Sequence, residues 1–474
     1  MAEPFPRRVY LLSPRRLSPE TIAVTFAKTS RSPLSFEQIA AELSEEKSAE
    51  FHEKWVVGYG HASVAEHAVL HIAFENVSRL AVECIEGNRL ASYTEKSTRY
   101  QKWDPQGYFV APEVVGTQHE PVYRNACATL FAAYHESLDA LRRVVQEANP
   151  RRPGESEEKW DGRVRSRYVD AGRFLLPAAA LANLGMTANA RVLEHAIRKM
   201  LAHPLAEVRA IGGQVRTAAE REIPTLLKYA NPTPYLSETP VELARKASSL
   251  PAGRSKDWFR LVEEDPDGEL KVLAGGLYPF GTGSFEQALD HVRGLAEPER
   301  RALAVTLLSR LGRFDDPLRA LEHMTLTAEV TVDQGAYFEL KRHRLMTQSP
   351  QRLTASLGFA VPRLFAQAGI EEAYRRAMEA AADAYEHLRE WNPEVAAYVV
   401  PNGFNRRVLM TFNLRQAYHL AELRAAANAH FSMQRLALRL ADEMRRTAPM
   451  VSGFLRLPQG VNWQGVEAEH FVQV

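Results

Sequence analysis

The chain has 474 residues, 45% hydrophobic and 25% charged, a composition that excludes a disordered, collagen-like or disulfide-scaffold protein. Lys+Arg of 59 against Asp+Glu of 58 leaves a formal charge of +1, so no global field steers the chain onto nucleic acid or an anionic membrane. Two cysteines, Cys84 and Cys127, build neither a disulfide framework nor a zinc ribbon, and a reducing cytoplasmic location is expected. Residues 1–10 lack the apolar core of a signal peptide, and no apolar run is long enough to span a bilayer.

From the N-terminus, the first landmark is Ser35-Phe36-Glu37-Gln38, followed by a helical pattern. Ala65-Glu66-His67 then opens a segment where Leu70, Ile72 and Phe74 alternate, which predicts a strand with one buried face. Gly87-Asn88-Arg89 comes next, then Glu95-Lys96-Ser97-Thr98-Arg99-Tyr100, and later Asn189-Ala190-Arg191 inside a helical pattern. The landmarks return in the same order. They are Ser284-Phe285-Glu286-Gln287, Leu321-Glu322-His323, Arg342-His343-Arg344 and Asn413-Leu414-Arg415, at offsets of 249, 256, 255 and 224 residues. Between them Met324, Leu326, Ala328, Val330 and Val332 alternate as a second strand.

The chain therefore reads as two diverged copies of one domain, residues 1–245 and 271–474. A connector rich in Pro, Gly and charge spans 246–270. The short last offset places a deletion in the second copy, opposite Pro150–Trp160. The expected class is α+β, a meandering antiparallel sheet flanked by long helices. Asn413, Ala417, Leu420 and Arg424 fall on one helical face.

Several residues could carry chemistry. Lys341-Arg342-His343-Arg344 is a cationic cluster suited to phosphate, although a solvated basic turn has the same composition. Glu95 to Tyr100 supplies hydroxyls, backbone N–H groups and Arg99, as a phosphate-gripping loop would. Arg173 precedes the apolar run Phe174-Leu175-Leu176-Pro177, and Arg424 ends an apolar helix face, where an arginine often only snorkels. His61 and His67 lie six apart, which is not a helical zinc spacing, so no metal is expected. Cys84 reads as a core residue.

In this order the motifs resemble the flavin-dependent thymidylate synthases, present twice in tandem. The resemblance runs from about Ser35 to Lys228 and from about Ser284 to Met444. The copies depart from that pattern in opposite ways. The first keeps His61, Glu66, Glu95, Ser97, Arg99, Tyr100 and Arg173, but has Gly87-Asn88-Arg89 for the Arg-His-Arg triplet and Met200 for the pyrimidine-contacting arginine. The second keeps Arg342-His343-Arg344, Asn413, Arg415 and Arg424. It has Pro317 opposite His61, Ala397 opposite Arg173, and a loop at Thr347–Arg352 that reads as two residues short.

The resemblance implies methylation of dUMP at C5 to give dTMP, with methylenetetrahydrofolate as carbon donor, FAD as hydride carrier and NADPH as reductant. It implies substrate contacts from Glu95, Ser97, Thr98, Arg99, Arg173, Glu339, Arg342 and Arg424, with Arg424 stabilising charge on the pyrimidine. FAD would be held by Arg342, His343, Arg344, Asn413, Arg415 and His419, with His61, Ser63 and Glu66 from the other copy. One competent class of site, built between unlike copies, follows, and a homodimer would reproduce the family's tetramer as a pseudo-tetramer. Glu339 stands where the family usually has a glutamine, and a carboxylate there would repel a phosphate. Two other classes are weighed. One is a flavoenzyme for another nucleotide or a modified pyrimidine, favoured by Glu339 and the short second loop. The other is a non-catalytic flavin- or nucleotide-binding relic, against which the complementary losses argue.

Overall fold

A computed structural model describes the chain except residues 1–7, 9, 31, 59–61, 100, 252, 254–256 and 474, and the side chains of 57 and 58. His61 and Tyr100 therefore lie outside the described residues. The chain divides into two compact units. The first comprises Met1–Lys96, Tyr108–Thr117 and Ala180–Pro251, and the second Ser97–Gly107, Gln118–Ala179 and Ala252–Val474.

The first unit is built on strands β1 (Val69–Ser78), β2 (Ser92–Glu95) and β3 (Leu181–Asn189), ordered β1-β3-β2 and all antiparallel. This is not a meander, because β3 arrives from far along the chain and inserts between the other two. Asn189 ends β3 and caps the helix Ala190–Leu201, its side chain accepting from the Val192 N–H at 3.0 Å. Ala190, Leu193, Ala196, Ile197 and Met200 are the buried residues of that helix, spaced to form one face. Burying each of the larger ones contributes roughly 1.5–3 kcal/mol.

The second unit holds a sheet ordered β4-β5-β8-β6, from β4 (Phe259–Glu264), β5 (Thr325–Asp333), β6 (Thr347–Pro350) and β8 (Asn405–Asn413), with a small sheet of β7 (Val361–Pro362) and β9 (Phe471–Gln473) beside it. The predicted alternation holds in β5, where Leu326, Ala328, Val330 and Val332 are buried. Strand β4, which pairs with β5, lies inside the stretch read as a connector. A helix, Gln334–Leu340, all of it buried, separates β5 from Lys341-Arg342-His343-Arg344.

The repeated tetrapeptides have a local explanation. Ser35 and Ser284 each cap a helix, and Gln38 and Gln287 each reach back to close a capping box. The deletion also falls where expected. The first copy carries helices Glu120–Ala148 and Glu157–Gly172, whereas the second carries Glu371–Trp391 followed by a single turn, Pro393–Ala396. No helix among the described residues is long and apolar enough to cross a membrane.

Candidate functional site

The second unit gathers residues from both copies around one buried carboxylate. Arg173 begins a short 3-10 turn at the end of helix Glu157–Gly172 and is only 3% exposed. Its Nη1 donates to Thr98 Oγ1 at 3.2 Å, and its Nη2 donates to Glu339 Oε1 at 3.2 Å and to the Gly335 carbonyl at 3.4 Å. The other oxygen of Glu339 accepts from Arg424 Nη1 at 3.1 Å. Arg424 Nε donates to His343 Nε2 at 3.1 Å, and the His343 ring meets His419 edge-on at 5.6 Å. Thr98 and Arg173 from the first copy are thus joined through Glu339 to Arg424 and His343 from the second, within one chain.

Burial sets the electrostatics of the cluster. Burial, helped by the Arg424 and His419 charges, pushes His343 down to about 3, so it is neutral near pH 7 and accepts from Arg424. Burial also lowers Arg424, while Glu339 opposes that shift. The fully satisfied carboxylate of Glu339 changes the expected repulsion, because two guanidinium groups already balance it. The His343 shift has a stability consequence. The unfolded chain takes up a proton as pH falls below 6.5, whereas folded His343 waits until about 3. The stability tied to neutral His343 is complete above 6.5 and is lost progressively below it. Urea midpoints measured across that window should fall more steeply for the wild type than for His343→Gln; parallel curves would contradict the assignment.

Arg99 is placed differently from expectation. Its Nε and Nη2 donate to the two oxygens of Asp170 at 2.8 and 2.7 Å, and Nη1 donates to the Asn428 carbonyl at 2.9 Å. Ser97 Oγ accepts from the Arg99 N–H at 3.2 Å, shaping the turn. Asp170 was not singled out from the sequence, although it precedes Arg173 by three residues and so shares its helix face. Burial pushes Asp170 up, opposed by Arg99 and Arg173.

The remaining predicted residues fall into local roles. Asn413 ends β8 and caps helix Leu414–Arg424 in a capping box with Gln416, so it is not an interior helical residue. Arg415 pins the start of that helix to the Pro317 carbonyl at 2.7 Å and to Glu322 at 3.0 Å. Arg191 and Glu66 repeat this ion pair in the first unit at 2.5 Å. Ser63 is exposed in the 3-10 turn there, and Glu95 is buried in an ion pair with Arg79. Arg342 is exposed and Arg344 half-buried, flanking His343. The second loop is not short where the sequence suggested. Thr347–Pro350 forms β6 in the register of β2, with Thr347 opposite Thr411 as Ser92 is opposite Thr187. The shortening comes after the strand, where residues 351–358 replace 96–107 before the next bridge, at Phe359 rather than Tyr108. Met200 is fully buried where the second copy has Arg424, and Cys84 is half-buried rather than core. A separate groove of about 290 Å³ between helices Glu120–Ala148 and Glu371–Trp391 is floored by Ala126, Ala377, Ala381 and Ala384 and contains none of the arginine cluster.

A UPF0159 protein of Chlamydia muridarum is 31% identical over 433 residues, covering 88% of this chain and 82% of that protein. A UPF0159 protein of Thermoplasma acidophilum is 28% identical over 453 residues, covering 88% and 90%. A flavin-dependent thymidylate synthase of Clostridium tetani is 28% identical over 219 residues, covering 84% of that protein but 46% of this chain. The family profile described as thymidylate synthase complementing protein matches residues 14–225 and again 261–450. The chain belongs to that family, as two copies of its domain in tandem.

Proposed function

We propose that the chain is a flavin-dependent thymidylate synthase that methylates dUMP at C5, using methylenetetrahydrofolate and NADPH, at one class of site composed from its two unlike copies. The observation that carries this reading is the Arg173–Glu339–Arg424 bridge, which joins the first copy's retained arginine to the second's inside one chain. In this reading Ser97, Thr98, Arg99 and Arg173 hold the nucleotide phosphate, with Arg342 completing the grip. Arg424 faces the pyrimidine, where a guanidinium stabilises negative charge that grows toward the transition state. His343 keeps Arg424 oriented by accepting from its Nε. Two chains supply four domains, so the assembly is a homodimer.

The residues set aside for FAD suit it chemically. Arg342, Arg344 and Arg415 offer cations to a diphosphate, and His343 and His419 offer planar rings. Asn413 completes the set within the second unit. Bound FAD supplies hydride to finish the new methyl group, and the protein binds, orients and excludes water.

Only the second copy carries the Arg-His-Arg triplet, so flavin released by denaturation should come to about one per chain. Two per chain would mean that both copies hold a live site. The activity itself is tested by tritium release from 5-tritiated dUMP with both cosubstrates present. Bound flavin that NADPH bleaches, without release from dUMP, would move the reading to another nucleotide.

A further inference from the structure

His430 is completely buried, and it caps the helix Phe431–Thr447. Its Nδ1 accepts from the Ser432 N–H at 3.2 Å, so its proton sits on Nε2, which donates to the Asp170 carbonyl at 3.2 Å. Burial, reinforced by the charges of Arg173 and Arg99, holds this imidazole well below its ordinary range and therefore neutral. The ring stacks on Phe174 with centroids 5.8 Å apart and lies tilted against Phe431 at 4.1 Å. Asp170 and Phe174 bracket Arg173 in sequence, and His430 grips both. Asp170 in turn holds Arg99 by two hydrogen bonds.

We propose that His430 is a positioning residue of the site, fixing Asp170 and through it the guanidinium of Arg99. This rests on the reading above, in which Arg99 meets the nucleotide phosphate. The physical basis is that a guanidinium fork locked by a buried carboxylate has one orientation, and that orientation is only as firm as the backbone carrying the carboxylate. A neutral, tautomer-fixed imidazole packed against the stacked Phe174–Phe431 pair makes that backbone firm without adding charge. Nothing in the periodicity of the sequence marks His430, because a cap residue looks the same whatever its other nitrogen holds.

The test is a double-mutant cycle. His430→Asn keeps a cap acceptor for the helix but is too short to reach the Asp170 carbonyl. It is expected to weaken dUMP binding about tenfold, measured by calorimetry on the whole protein, while kcat at saturating dUMP changes little. In an Arg99→Ala background the same substitution should have no further effect on binding, since it acts through Arg99. Additive losses would overturn the proposal and leave His430 a packing residue. A second measurement needs no nucleotide. The Arg99 Nε–H proton resonance should be protected from exchange in the wild type and lose that protection in His430→Asn. Unchanged protection would also overturn the proposal. Wild-type dUMP binding by Arg99→Ala would instead break the underlying reading of the phosphate site, and the exchange measurement would still decide the role of His430.

Discussion

Arg424→Ala is expected to lower turnover about a hundredfold while leaving the fold intact. Arg424 is held at the end of its helix by Glu339 and His343, with its side chain 16% exposed. A guanidinium in that position, aimed at developing charge, supplies roughly 3 kcal/mol, or about two orders of magnitude in rate. Its removal leaves Glu339 paired with Arg173, so no buried carboxylate is stranded alone. The counterpart substitution is Met200→Leu. Met200 is fully buried, and a Cβ on Gly212 would come within 2.8 Å of its own Cβ, so shape matters there but charge does not. A swap of similar volume should cost less than about 1.5 kcal/mol and leave turnover near wild type. Circular dichroism and steady-state rates on the two variants separate the cases. Wild-type turnover in Arg424→Ala would show that this arginine only snorkels.

The second large effect is on stability and lies in the first unit. Arg79 and Glu95 form an ion pair whose side chains are 4% and 1% exposed. Arg79→Met takes the Arg79 cation away from the buried carboxylate of Glu95, at an expected cost of about 3–5 kcal/mol. The double substitution Arg79→Met with Glu95→Leu removes both charges and should recover most of that loss. Urea unfolding reads both. A single variant as stable as the wild type would mean that the pair contributes nothing. A double variant that is stable but fails to bind dUMP would assign Glu95 a contact with substrate beyond its structural pairing.

Much of this fold was legible because its repeats are written in local chemistry. Ser35 and Ser284 recur because a helix start needs an acceptor for its orphan N–H groups, and Gln38 and Gln287 because they complete the box. The β5 alternation follows from a strand with one wet face. Asn189 and Asn413 were recognisable as equivalent but read as helix interior. They are caps, since an Asn side chain competes with the helix backbone and settles at its edge. The order β1-β3-β2 was not legible, because strand insertion across long helical excursions leaves no periodic mark.

The site was half legible for the same reason. Arg99, Arg173, His343 and Arg424 announced themselves by residue type and by which copy had lost them. Glu339 looks repulsive in the sequence because only its neighbours in the chain, not those in space, are visible there. Arg173 reaches it across 166 positions and cancels much of that charge. Asp170 and His430 were missed because a buried carboxylate and a buried cap histidine differ from surface ones only in tertiary surroundings. The complementary pattern of losses is intelligible in the same terms. In the first copy Met200 fills the place of Arg424, and in the second Ala397 opens a 3-10 turn as Arg173 does, so neither position keeps a charge without a partner to meet it.

In the proposed function the competent site is assembled within one chain from its two copies. Co-expression tests it directly. Arg173→Ala and Arg424→Ala, each carrying a different affinity tag, are produced together, and the species bearing both tags is isolated. Each variant alone is expected to be inactive, because each removes one end of the bridge through Glu339. In a mixed pair every chain still lacks one of its own two arginines. The doubly tagged species is expected to be as inactive as either variant alone. Recovery of dUMP turnover in that species would mean that one chain's Arg173 serves another chain's Arg424, and would contradict assembly within the chain.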